Sequence, residues 1–252
     1  MKFIRVQCSG CFNSFRQPDF HTYHKTLPLP PKTTVAGMIG SAIGISPEVV
    51  NDEWLVNNRF RMGIVGKNNG IANDLWQIRK YEEKQIKAYA KGDVTTPFKT
   101  AIIVRELLYA SDFVLYLNFD NDTDFDLVLN KLKNPSWALS LGREDELINI
   151  RSIEMIELKE KANLTYVNTI IPIDLTNSKY EIEFNKKGLS SNLLNEGPKT
   201  VKLPVTFVQN EVTKAREAIN YQTFSFINNM PIRPETGVGF FDEILNYSFQ
   251  IF

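Results

Sequence analysis

With 252 residues, 43% apolar and 12% aromatic, the chain has material for one large folded unit or two small ones. Its 29 basic residues are balanced by 29 acidic ones, which excludes a global attraction for polyanions and leaves nucleic-acid binding to a local patch. No run of about 18 apolar residues exists for a membrane span, and the N-terminus lacks the apolar stretch and cleavage site of a secretory signal, so a cytoplasmic protein is expected.

Residues 2 to 8 alternate as a strand, with Ile4, Val6 and Cys8 on one side and Phe3, Arg5 and Gln7 on the other. An arginine among aromatics fits a solvated sheet face, and equally a face that holds RNA bases. Cys8 and Cys11 form a Cys-x-x-Cys, but zinc would need His21 and His24 as well, at a spacing short for a structural site. No helix follows directly, as a redox pair requires. Both cysteines are expected as small, reduced, partly buried residues, with no metal and no cofactor. Residues 9 to 32 read as a loop in which Phe12, Phe15, Phe20 and Tyr23 interleave with Arg16, His21, His24 and Lys25. That mixture suits stacking on bases with contacts to phosphates, or a hydrophobic loop tucked under a sheet.

Pro28, Pro30 and Pro31 fix an extended lead-in. A helix follows, with Thr33 or Thr34 as N-cap and Val35, Met38, Ile39, Ala42 and Ile43 at one-face spacing. Gly37 and Gly40 lie inside it, at a cost of about 1 kcal/mol each relative to alanine. Such a cost points to a close approach, either of a phosphate backbone at the helix start beside Lys32 or of a packed neighbour. A second short helix runs from Ser46 through Leu55, a strand spans 59 to 66, and 67 to 70 is a turn. Residues 76 to 99 carry six cations against three acids, with Trp76, Tyr81, Tyr89 and Phe98 interleaved and no clean period. They read as a long basic excursion between strands, or a solvated loop.

Residues 100 to 119 make two strands or one bent strand, and Asp122 to Leu132 a helix. With a last strand from 136 to 141 or from 148 to 158, the order β-α-β-β-α-β gives an α+β, ferredoxin-like (RRM-like) domain over 1–158, interrupted at about 67–99. Residues 159–252, with short apolar runs between prolines and glycines, read as a small antiparallel β region. No Gly-x-Ser-x-Gly, His-Glu-x-x-His, Walker or paired-carboxylate motif appears. The catalytic possibility left is metal-independent RNA cleavage, with His21 or His24 as base and Tyr23 and Lys25 beside it.

Three motifs in this order, Ser14-Phe15-Arg16-Gln17-Pro18, the stretch from Pro28 to Gly40 and Leu141-Gly142-Arg143, resemble the CRISPR-associated protein 5 family of the RAMP superfamily over roughly the first 145 residues. The resemblance implies a subunit of a type I (I-B-like) Cascade surveillance complex that caps the 5′ handle of the guide RNA without cutting it. Its partners would be that RNA, the backbone and large subunits and, indirectly, target DNA. The excursion would be the family's thumb-like hairpin. RNA contacts are expected at Arg16, Lys32, Thr33, Thr34, Gly37, Lys80, Lys84, Lys87, Lys91 and Arg143, with Arg143 otherwise bonding Glu144 or Asp145 in a charged turn. The alternative is a repeat-processing endoribonuclease, an activity that some members of the family have.

Overall fold

The computed structural model describes residues 1–20, 23–80, 82–92, 99–183, 197–211 and 215–252. In chain order they form β1 (Lys2–Asn13), β2 (Tyr23–His24), α1 (Lys32–Ile43), α2 (Pro47–Val50) running into a π-helical turn (Asn51–Val56), β3 (Phe60–Lys67), β4 (Ile71–Lys80), α3 (Glu83–Ala90), β5 (Lys99–Phe119), α4 (Asp122–Lys133) and β6 (Ile148–Glu157). The remaining elements of the described residues are strands: β7 (Glu160–Ala162), β8 (Thr169–Ile171), β9 (Tyr180–Ile182), β10 (Lys199–Gln209), β11 (Arg216–Ile227), β12 (Ile232–Pro234), β13 (Val238–Asp242) and β14 (Tyr247–Phe249). The fold is mixed α+β, mostly antiparallel sheet with few helices.

The main sheet has nine strands in the order β10-β11-β8-β3-β5-β1-β6, with β2 and β4 on the far half of β5. β5 is one strand of 21 residues. Its second half pairs β1 and β3, its first half pairs β4, and Ala110 at the junction takes a left-handed φ of 48°. On one face, α1 and α4 bury Val35, Ile39, Phe125 and Val128 with Ile4, Val6, Ile64 and Leu115 of the sheet. On the other, Phe3, Val65 and Tyr116 pack with Phe240 of β13 and Phe249 of β14. A Cβ on Gly63 would run into the Phe249 ring, so glycine there lets β14 lie flat on β3.

Several expectations change. Arg5 neither faces solvent nor offers a platform for bases, because the C-terminal strands close that face. It is 2% exposed, and its two terminal nitrogens donate to Asp242 (2.7 Å) and Glu154 (2.6 Å), while the Tyr116 hydroxyl donates to Asp242 (2.9 Å). Burial works against the Arg5 charge, but the two carboxylates outweigh it and hold its pKa above the ordinary arginine value. β1 runs five residues further than its alternation indicated, to Asn13. α1 begins at Lys32 with Pro31 as N-cap, and neither threonine caps it. Instead Thr34 N–H and Val35 N–H both donate to the Pro31 carbonyl. Of the short apolar runs expected as strands after residue 159, Leu164 to Val167 forms only a single bridge, at Tyr166. Cys8 is buried, with its thiol pushed up to about 12 by that burial, and Cys11 is exposed; neither is disulfide-bonded.

Candidate nucleic-acid interface

Two of the motifs that are distant in sequence meet at one carboxylate. Glu146 is nearly buried and accepts hydrogen bonds from Ser14 N–H (2.7 Å), Ser14 Oγ (2.5 Å) and Arg143 N–H (2.9 Å). Gly142, at φ 122°, allows the turn, since a Cβ there would strike Glu146 and the Ser14 carbonyl. Asn13 Nδ2 adds a bond to the Leu141 carbonyl at 2.8 Å. Glu146 therefore fixes the Arg143 backbone and leaves its guanidinium to project. Neither Glu144 nor Asp145 bonds that guanidinium among the described residues.

The Arg143 guanidinium lies 5.0 Å from the centre of the Trp76 ring and donates to His24 Nδ1 at 3.4 Å. Arg105 lies 4.5 Å from the same ring and is held by Asp74 across the β4–β5 pair. Tyr23 donates to Glu106 (2.8 Å) and to Asn73 (3.3 Å), and the bond to Glu106 raises its pKa. β2 thus seats Tyr23 and His24 against the base of the hairpin, in parallel with Val104 and Arg105. Lys25, next along, is over the Phe20 ring at 5.7 Å. His21 lies outside the described residues. Arg16 is exposed, forms a bridge with Thr26, and donates to the Phe20 carbonyl at 3.4 Å.

The basic excursion is a hairpin carrying a helix. β4 pairs β5 in unbroken register from Ile71↔Leu108 to Lys80↔Lys99, and α3 sits at its end, started by a reciprocal cap between Glu82 and Gln85. Lys80, Lys84, Lys87 and Lys91 are all exposed there, and Lys87 pairs Glu83 one turn back at 2.7 Å. Tyr81 and Phe98 fall outside the described residues. Leu75 and Ile102, 68% and 64% exposed, put open apolar surface on the hairpin face that also carries Gln77 and Arg79.

At the hairpin base a groove of about 970 Å³ opens between the 25–29 segment, the β3–β4 turn and the chain after β11. Lys25, Lys67 and Lys199 line it, with the amides of Asn68, Asn69, Asn168, Asn228 and Asn229. Among the described residues in its walls the one carboxylate, Glu106, is occupied by Tyr23 and by Thr26 N–H (3.0 Å). Lysines meet phosphates and amides meet base edges, so this surface can hold a single strand. The sequence offered no sign of Lys67, Lys199 or the asparagines as a group, because they come from four separated segments.

The start of α1 is different in kind. Lys32 is nearly buried, its ammonium 3.2 Å from Asn58 Oδ1 and 5.9 Å from the Phe60 ring centre. Burial, then the Arg61 charge, lowers its pKa to about 8. Thr33 and Gly37 line a separate groove of about 250 Å³ that also contains Glu48, Asp52 and Arg216. Thr34 is half-buried. The structure thus brings Arg143 together with His24 and Trp76, turns Tyr23 to Glu106 on the other hairpin face and Lys25 to Phe20, keeps the hairpin lysines as a second group, and sets Lys32 to Gly37 apart.

The family model for CRISPR-associated protein (Cas_Cas5) matches residues 3–187. Among solved structures, a chain of a CRISPR RNA-guided surveillance complex is similar to this one at 13% identity and a TM-score of 0.52, over 92% of this chain and 91% of that one. A CRISPR protein from Archaeoglobus fulgidus is similar at 10% identity and a TM-score of 0.51, over 99% and 98%. No curated protein matches by sequence.

Proposed function

The chain belongs to the CRISPR-associated protein 5 family, and from that membership we propose that it is a non-catalytic, guide-RNA-binding subunit of a type I surveillance complex in the cytoplasm, capping the 5′ handle of the guide. The observation that carries this reading is the groove at the hairpin base, where three lysines stand with a carboxylate, Glu106, that Tyr23 and Thr26 engage; the Arg143, Trp76 and Arg105 cluster lies on the other face of the same hairpin. The order β1-α1-β3-β5-α4-β6, with β3-β5-β1-β6 adjacent in the sheet, supports a ferredoxin-like core with the hairpin as a thumb-like insertion. The face on which RNA-binding domains of this kind stack bases is closed here by Phe240 and Phe249. The guide would therefore run along the other cationic surface, past Arg16, Lys25, Lys67, Lys199 and Arg143, with Lys80, Lys84, Lys87 and Lys91 closing over it. Glu48 and Asp52 argue against a phosphate in the groove at Thr33 and Gly37.

Binding here is charge neutralisation plus positioning. Each lysine that meets a phosphate releases counterions, and the asparagine amides give the groove a means of reading base edges. Backbone and large subunits would take the exposed hairpin face and sheet edges, and target DNA would be met only through the guide. The test is the RNA that co-purifies with the protein: repeat-derived molecules with uniform 5′ ends are expected, and mixed RNA would overturn the reading. Repeat RNA incubated with the pure protein in chelator should stay intact. Specific scission lost in His24→Ala would instead establish the repeat endoribonuclease, a reading that draws on His24 lying beside Tyr23, Lys25 and the Arg143 cation.

A further inference from the structure

The two outer edges of the main sheet are handled differently. On β10, the Asn51 side chain from the π-helical turn accepts from Phe207 N–H and donates to the Phe207 carbonyl, both at 2.9 Å, which occupies that edge as a partner strand would. At the opposite edge, β6 pairs, among the described residues, only with β1. Its first residues are covered, since Ile148 N–H donates to the Leu139 carbonyl, and Arg151 sits at the register shift opposite Gln7 and Cys8. The stretch from Ile153 to Glu157 is regular and open. Leu158 exchanges backbone hydrogen bonds with Met1, so by strand alternation Ile153, Met155 and Glu157 turn their N–H and C=O groups outward. No described residue meets those groups. The stretch contains no proline and no lysine, the usual guards of an edge, and Met155 is 57% exposed.

We propose that β6 is a docking strand for an extended segment of another protein subunit, which adds antiparallel or parallel to Ile153–Glu157 and carries apolar residues on the helix side with basic ones interleaved. The inference rests on the proposed place of the chain in a multisubunit complex. Charge decides the occupant. Glu154 and Glu157 are the charged residues of this short edge, and the cations opposite them, Arg5 and Lys2, are each shared with a second carboxylate, Asp242 and Asp122, so the edge stays net negative: a second copy of the chain would double that charge in one ribbon, and RNA would be repelled. A basic strand meets both conditions, and Met155 with half-buried Ile153 offers it an extension of the core beside α4.

Proline at 155 removes only an outward donor from the backbone, so Met155→Pro should fold as the parent does, whereas Met155→Leu keeps both the donor and an apolar side chain. Complexes purified through a tag on this chain should hold one protein subunit about tenfold less tightly in Met155→Pro and normally in Met155→Leu, the loss of a backbone bond plus a ring in its place. Independently of any variant, the amides of Ile153, Met155 and Glu157 should exchange hydrogen fast in the free chain and slowly in the complex. Fast exchange inside an assembled complex overturns the inference while leaving the proposed function standing. So does protection of the same amides in a dimer of the chain alone. A chain that enters no complex overturns the proposed function and this inference with it.

Discussion

Lys32 shows how a single residue can be read wrongly from sequence and then become informative. Beside a helix start it looked like an exposed partner for phosphate, but Asn58 and Phe60, close in space on the segment leading into β3, enclose it. Its folded pKa of about 8 lies below the ordinary lysine value of 10.5. Below pH 8 both folded and unfolded chains carry the proton, and the full penalty for burying it is present, on the order of 3 kcal/mol. Between pH 8 and 10.5 only the unfolded chain stays protonated, so stability rises with pH through that window. Lys32→Met should therefore be more stable than the parent in urea unfolding at pH 7 and lose that advantage above about pH 10.5. Equal stability at pH 7 would show that the ammonium reaches water. The glycines of the same helix were more legible. A Cβ on Gly40 would run into Val50 Cγ2, whereas one on Gly37 meets nothing within 4 Å. Gly40→Val should cost about 1–3 kcal/mol by overpacking, and Gly37→Val should melt no lower than the parent. The spacing of α1 could suggest which glycine packs, but only Val50, ten residues away in α2, decides it.

At the scale of elements, the hairpin is where local pattern was weakest. Both of its faces carry apolar and charged residues, Leu75 and Ile102 on one and Trp76, Arg105 and Lys80 on the other, so no period of two emerges from β4. The long β5 was easier, because its second half is buried on both faces and reads as a continuous apolar run. Ala110, left-handed at the junction, lets one strand serve the sheet and then the hairpin. The lysines of α3 and its cap touch little, and the exposed pair of Lys87 with Glu83 is of the kind that contributes little to folding. Replacing Lys84, Lys87 and Lys91 with alanine should leave the melting curve in place. It should also flatten the dependence of log K on log salt for repeat RNA, by about 0.7 for each phosphate that is no longer neutralised. A triple variant that unfolds would place the segment in the core, and an unchanged slope would take the guide away from the hairpin.

At the scale of the whole molecule, the question is whether the stretches before and after residue 158 fold separately. Short apolar runs between prolines and glycines suggested a second, β-rich part, and among the described residues the last helix ends at Lys133 and the elements after Glu157 are strands. Three connections work against separate folding. β8 lies between β3 and β11, so the later stretch supplies inner strands to the sheet of the earlier one, and Thr169 Oγ1 donates to the Ile64 carbonyl there. Phe240 and Phe249 cover Phe3, at ring separations of 4.9 and 5.7 Å. Asp242 is the buried partner of Arg5, 237 positions away. Such partners leave no periodic trace in sequence, which is why Arg5 could be read as solvated or as RNA-facing. Burying the Arg5 charge is tolerable only while its carboxylates are present, so Asp242→Asn, which removes the buried one and leaves Arg5 the part-exposed Glu154, should destabilise by about 3 kcal/mol, the low end of the cost of breaking a buried pair. Because the pair belongs to both stretches, that loss should lower a single transition, with calorimetric and van't Hoff enthalpies in agreement. Two transitions in the parent, of which Asp242→Asn moves only the one assigned to 159–252, would show that the stretches fold as independent units that merely touch.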